Sequence, residues 1–346
     1  MVAGSKTGYR DHPVKEIIRQ RWCKPLLAEV VASFGKKLVY LGLPGIEALD
    51  VKAWINFIDK VIAFQCYDYR KRKSKRRDDV EKLNALLNDL DRQEIISDYS
   101  LYEGFMEEVV LRGIDGKTTP FVLGNIITLY NLDFCSTLTS PMNLPDDKGE
   151  YHSYFKLQMI NKLLEIQRDF ESTSVTKRFI MFITVHSDIV KDDMDKHLQR
   201  EEFDSVRHQI DHIRATLTGK EQEIRILRLY AYHFLKTHFC SRYFSPEFLP
   251  TIFYKGEGFY TKDGVDYDNW MLTFTVLGSY EQDPSGSANF YQSMDTCLRS
   301  KFLLADETGI TLLSDDAIME EDVFFDPAES FKNSYTVNNL WVASSV

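Results

Sequence analysis

Leu129-Tyr-Asn-Leu-Asp-Phe-Cys-Ser136 is an apolar run that ends in a carboxylate. At the end of a strand, Asp133 can accept a hydrogen bond from a substrate amine, or it can simply cap the next turn. Asn131 lies two residues earlier on the same face, and Phe134 stands beside the acid. A second stretch, Lys36 to Gly45, ends an apolar run in a turn built from Gly42, Pro44 and Gly45. Such a turn lets backbone N–H groups approach a carboxylate or phosphate, although a tight turn with no ligand needs the same residues. Gln65 closes the short apolar run Val61-Ile-Ala-Phe-Gln65. A side chain about twenty residues beyond a glycine turn reaches ribose hydroxyls in dinucleotide-type folds. The amide can donate and accept there without the charge assistance of a carboxylate; its alternative role is a solvated strand end. Glu103 and Phe105 follow a third candidate strand, where they can flank a planar base or serve as a surface acid and a core ring.

Other chemistry is less well supplied. Arg70, Lys71, Arg72, Lys73, Lys75, Arg76 and Arg77 form a run interrupted only by Ser74. This run is either the solvated start of a helix or a patch for nucleic-acid phosphates or an acidic partner subunit. The histidines make no zinc-type pair; His208 and His212 share a helical spacing without a third ligand nearby, so no metal site is expected. No Gly-x-Ser-x-Gly elbow and no complete Gly-x-x-x-x-Gly-Lys-Ser/Thr phosphate loop is present, which removes the hydrolase and P-loop readings.

The elements that must hold these residues can be read from hydrophobic period. Asp11-His-Pro-Val predicts a helix start, followed by apolar positions from Ile17 to Phe34 that Pro25 is expected to divide into two helices. The first strand comes next, then an amphipathic helix over Ile46 to Ile58. Strands ending near Gln65, Tyr102 and Phe134 alternate with helices over 78–90 and 151–170. Lys177 to His186 is the clearest buried strand. A charged helical stretch over 189–240, bent near Gly219, precedes two strands at 249–254 and 270–277. Alternation of this kind demands an α/β, doubly wound, mostly parallel sheet. Closely spaced late strands predict one antiparallel member at its edge. The expected divisions are a helical lead-in over 1–35, an α/β domain over 36–280 with the helical insertion at 189–240, and an acidic appendage over 281–346.

With 346 residues, 44% apolar and 13% aromatic, the chain can bury a substantial core. A net charge of −10 opposes a protein coated all over by nucleic acid, though not a local basic patch. Five scattered cysteines without a C-x-x-C pair suit reduced thiols. With neither a signal-like leader nor an apolar membrane span in the sequence, a cytoplasmic protein without membrane contact is expected.

The order of elements resembles the class I S-adenosylmethionine-dependent methyltransferase fold, a seven-stranded sheet with one reversed strand, over roughly 34–280. Val39-Tyr-Leu-Gly-Leu-Pro-Gly45 resembles that family's glycine motif, without the acid inside it; Glu47 and Asp50 lie just beyond. Asp133-Phe-Cys-Ser136 resembles the motif of methyltransferases that act on exocyclic amines. It keeps the acid but lacks both prolines, and its aromatic stands second rather than fourth. The resemblance implies an S-adenosylmethionine site over Gly42, Pro44, Gly45, Gln65, Glu103 and Phe105, with the acceptor near Asp133, Asn131 and Phe134. It implies a methyltransferase, acting on nucleic acid or a nucleic-acid-associated substrate. The departures from the motifs leave open an inactive fold that serves as a structural or recognition module in a complex.

Overall fold

Among the described residues helical order begins at Pro13, whose fixed φ suits the first turn of α1 (Pro13–Ile17). In the computed structural model, which describes residues 12–65, 77–146, 149–170, 177–187, 198–199, 204–262, 265–280 and 302–313, the residue at the cap is His12, without a capping side-chain bond. Asp11, the basic residues 70–76 and the side chain of Arg77 lie outside what is described. Pro25 does not split the helix in two. A π-helical turn, Ile18–Cys23, joins α1 to α2 (Lys24–Phe34). Pro25 therefore sits in the first turn of α2, where its missing N–H costs little. Gly35, at φ 65°, ends the helix by donating its N–H to the Val31 carbonyl at 2.9 Å.

The chain then alternates. β1 (Leu38–Gly42) leads to α3 (Leu49–Ala53) and a 3₁₀ turn, Ile55–Phe57, before β2 (Ile58–Gln65). The expected helix over 46–58 is reduced to these short pieces, because Gly45 and Ala48 both take left-handed backbone and prevent an earlier start. α4 (Arg77–Arg92), β3 (Asp98–Glu103) and α5 (Met106–Arg112) precede β4 (Leu129–Thr137). A small hairpin, β5 (Met142–Pro145) and β6 (Tyr151–Tyr154), occupies the start of the expected helix, which becomes α6 (Lys156–Asp169). β7 (Arg178–His186) is buried along nearly its whole length. The charged stretch forms α7 (Asp204–Thr216) and α8 (Gly219–Ser241), which meet at Gly219. β8 (Phe244–Phe248), β9 (Thr251–Lys262), β10 (Val265–Tyr280), β11 (Phe302–Ala305) and β12 (Ile310–Leu313) complete the order.

Among the described residues one ten-stranded sheet runs β12-β11-β9-β10-β7-β4-β1-β2-β3, with β8 also paired to β10. β1, β2, β3, β4 and β7 are mutually parallel, whereas β10 runs against both β7 and β9. Seven of the strands therefore reproduce the expected sheet, read β3-β2-β1-β4-β7-β10-β9. The reversed strand lies inside it rather than at its edge. β8, β11 and β12 are additions, and the last two come from the stretch expected to be an appendage. Alternating residues feed two cores. Leu41, Tyr130 and Met181 face the α5, α6 and α8 side; Tyr40, Leu129 and Ile180 face α1 to α4.

β8 also carries a partly buried acid. Glu247 lies opposite Leu277, and its Oε2 has no hydrogen-bond partner among the described residues. Burial pushes its carboxyl from 4.5 up to about 7. The folded chain therefore holds this proton more tightly than the unfolded chain does, and stability falls as pH rises through that window. Glu247→Gln is expected to flatten the decline and to stabilise the protein by about 1–2 kcal/mol near pH ~8, after allowance for partial exposure, with little gain near pH ~4. Urea unfolding at both pH values reads this; the same gain at each would refute it.

Candidate active site

The strand order reverses between β1 and β4, and open α/β sheets bind ligands beyond the carboxyl ends of strands at such a point. A cavity of about 320 Å³ lies there, within the roughly 300–1,000 Å³ range of small-molecule sites. Pro44 and Gly45 from the first turn, Gln65 from β2, Phe105 ahead of α5, and Asp133 and Phe134 from β4 all line it.

Local irregularities open this space. Gly45 takes φ 67° and turns the chain away from the end of β1. β4 pairs in register with β7 up to Asp133–Thr184, then slips before rejoining at Thr137–His186. That bulge carries Phe134 and Ser136 to the cavity wall. Gln65 is almost wholly buried, and Glu107 on α5 closes the wall beside Phe105. Burial raises the Glu107 carboxyl against the lowering effect of Lys156, 4.0 Å away.

Three residues of the expected site are placed otherwise. Gly42 pairs with Asn131 in the sheet and does not line the cavity. Asn131 is buried below the site, donating Nδ2 to Asp50 Oδ2 at 2.7 Å and more weakly to the Tyr40 hydroxyl at 3.4 Å. Glu103 turns away to an ion pair with Lys117, and its backbone N–H donates to Asp115. These are positions in the frame of the site, not on its wall.

The residues that sequence reasoning missed come from α1 and the π turn. Lys15 Nζ donates to Asp133 Oδ2 at 2.5 Å, and Arg19 Nε donates to Asp50 Oδ1 at 2.6 Å. Arg19 also holds Glu16 at 2.5 Å. Lys15 and Arg19 stand four apart, so they share one helix face and both line the cavity. Asp50 is raised above its ordinary value, because burial outweighs the opposing charge of Arg19 while Asp133 adds to the rise. Asp133 keeps a second oxygen, Oδ1, which is buried and without a hydrogen-bond partner among the described residues. Nothing in the apolar spacing of the first helix singles out Lys15, Glu16 or Arg19, whereas Asp50 is visible in sequence as an acid just past the turn.

Elsewhere, His208 and His212 line a cavity between α7 and α8 together with Arg225 and Arg228, cations that oppose a bound metal. Asp146, Glu150 and His152 bring ligand atoms within 4.8 Å of one another at the β5–β6 hairpin, where His152 is paired with Asp146 at 3.2 Å. Among the described residues no helix is long and apolar enough to cross a membrane.

Strand order, direction and the position of the cavity define a protein of the class I methyltransferase-like fold. The chain belongs to the PP_RS20740-like family, whose profile matches residues 11–226. No curated protein matches it in sequence. Among solved structures it is similar to YcgJ from Bacillus subtilis, at 7% identity and a TM-score of 0.36 over 74% of this chain and 98% of that one. An rRNA methylase from Streptococcus thermophilus gives 12% identity and a TM-score of 0.33, over 79% and 99%. The magnesium protoporphyrin IX methyltransferase ChlM from Synechocystis PCC 6803, solved with bound SAH, gives 11% and 0.31, over 80% and 90%. These superpositions are loose, and the fold assignment stands on the strand order of this chain.

Proposed function

We propose that the chain binds S-adenosylmethionine in the cavity at the ends of β1, β2 and β4 and transfers its methyl group to an N–H acceptor beside Asp133. The observation that carries this reading is the convergence of Gly45, Gln65, Phe105 and Asp133, distant in sequence, on one cavity of suitable size. The residues suit the cofactor's parts. Gln65 offers both a donor and an acceptor to ribose hydroxyls, and Phe105 offers an apolar face to adenine. Arg19 brings positive charge for the methionine carboxylate, while Asp50 and Asp133 favour its ammonium and sulfonium. The cofactor supplies an electrophilic methyl group. The protein's part is to hold an acceptor nitrogen in line with it, so positioning rather than a strong base supplies most of the rate. The Asp133 carboxylate, a quarter exposed on the cavity wall, is the acceptor for the substrate's N–H.

Isothermal titration with S-adenosylmethionine and with S-adenosylhomocysteine tests this. Saturable heat from both is expected, weakened several-fold by Gln65→Ala because buried polar groups of the ligand lose their partner. Absence of heat at high protein concentration would end the proposal.

A further inference from the structure

The acceptor nitrogen of this site is already present in the chain. Lys15 projects from α1 onto the cavity wall, and its Nζ lies 2.5 Å from Asp133 Oδ2, the place where an amine substrate would be received. The lysine is not there by accident of a long, mobile side chain. One turn further on, Arg19 is fixed between Asp50 and Glu16, and Trp22 donates its indole N–H to Thr275 Oγ1 at 2.9 Å. Trp54 in turn donates to the Arg19 carbonyl at 3.3 Å. The helix is thus anchored at three further points, and Lys15 inherits its position from them. Lys15 also lines a smaller cavity of about 40 Å³, bounded by Asp50, Asn131 and Thr184. Lys15 accordingly borders both cavities.

From this we infer that Lys15 is a methyl acceptor in cis, so that the protein modifies its own N-terminal helix. The inference rests on the proposed cofactor site. In the step, the ammonium of Lys15 first passes one proton to Asp133. The neutral amine then attacks the methyl carbon, the C–N bond forms, and the C–S bond breaks with its electron pair going to sulfur. The products are a methylated lysine ammonium and the neutral thioether S-adenosylhomocysteine. The proton on Asp133 leaves to solvent. Holding nucleophile and base together on one rigid frame is what makes such a transfer effectively unimolecular.

The full chain, incubated with methyl-labelled S-adenosylmethionine, is examined by intact mass and peptide mapping, alongside calorimetric measurement of cofactor binding. Methylation of Lys15, found after incubation or already present on the purified protein, is the expected result. Lys15→Arg, which keeps the charge facing Asp133, should remove the label while cofactor binding and the thermal melting point persist, and Asp133→Asn should reduce the label at least tenfold. Cofactor binding with an unmodified Lys15, or label confined to other residues, would overturn the inference and leave the cofactor site standing. Failure of the wild-type chain to bind cofactor would overturn both.

Discussion

Replacing Arg19 with methionine is expected to cost the fold about 3–5 kcal/mol, the penalty of leaving a buried carboxylate without its cation. Only 8% of the Arg19 side chain and 16% of Asp50 are exposed, so water from the cavity replaces the missing contact poorly. The Asn131 amide remains on the other oxygen, but it carries no charge. The cost should depend on pH in a definite direction. The Asp50 carboxyl already lies above 3.8 when folded, because burial dominates, and Arg19 is the largest influence pulling it down. Without Arg19 the folded value climbs further, so the variant binds a proton at pH values where the unfolded chain does not. Its deficit is therefore largest near neutrality and shrinks as pH falls towards that raised value. Asp50→Asn added to Arg19→Met removes the stranded charge and should recover much of the loss. Denaturant unfolding of both variants across pH measures this. A small deficit that ignores pH would mean that the pair behaves as an exposed surface bridge.

The parts of this molecule that could be read in advance are those where one local rule decides. Lys177 to His186 is apolar almost throughout, and a strand covered on both faces has that composition. Gln65 and Asp133 could be located because each closes such a run, and strand ends in this architecture meet at one edge. The readings over 46–58 and 151–154 went astray for a different reason. The apolar spacing fitted a helix, but a left-handed Ala48 and the β5–β6 pairing, imposed by the surrounding fold, overrode it. Lys15 and Arg19 were invisible as site residues because a lysine and an arginine on an amphipathic helix ordinarily face water. Only the packing of that helix against β9, with Lys15 reaching Asp133 on β4 and Arg19 reaching Asp50 on α3, turns them inward. β11 and β12, four residues each, are too short to show a period, and their membership of the sheet comes from pairing alone.

The glycine motif deserves a separate test, since its two glycines serve different ends. Gly45 has a left-handed backbone and open space around it, so Gly45→Ala should cost only the roughly 1–2 kcal/mol of that conformation. Gly42 has ordinary strand geometry, but an added Cβ would overlap the main-chain oxygen of Asn131 and approach the Tyr40 hydroxyl to 2.8 Å. Leu43 donates its N–H to that same Asn131 oxygen at 3.1 Å, so β4 cannot withdraw without breaking the bond. Gly42→Ala is accordingly expected to cost about 3 kcal/mol, at the upper end of ordinary overpacking, and to separate β1 from β4 beneath the cavity. Tyr40→Phe in the same chain removes the hydroxyl but leaves the carbonyl, so it should rescue little. Unfolding midpoints for the three variants decide between a packing role and a ligand role. If Gly42→Ala were as stable as wild type and lost only cofactor binding, the close approach of β1 to β4 would not be what this glycine is for.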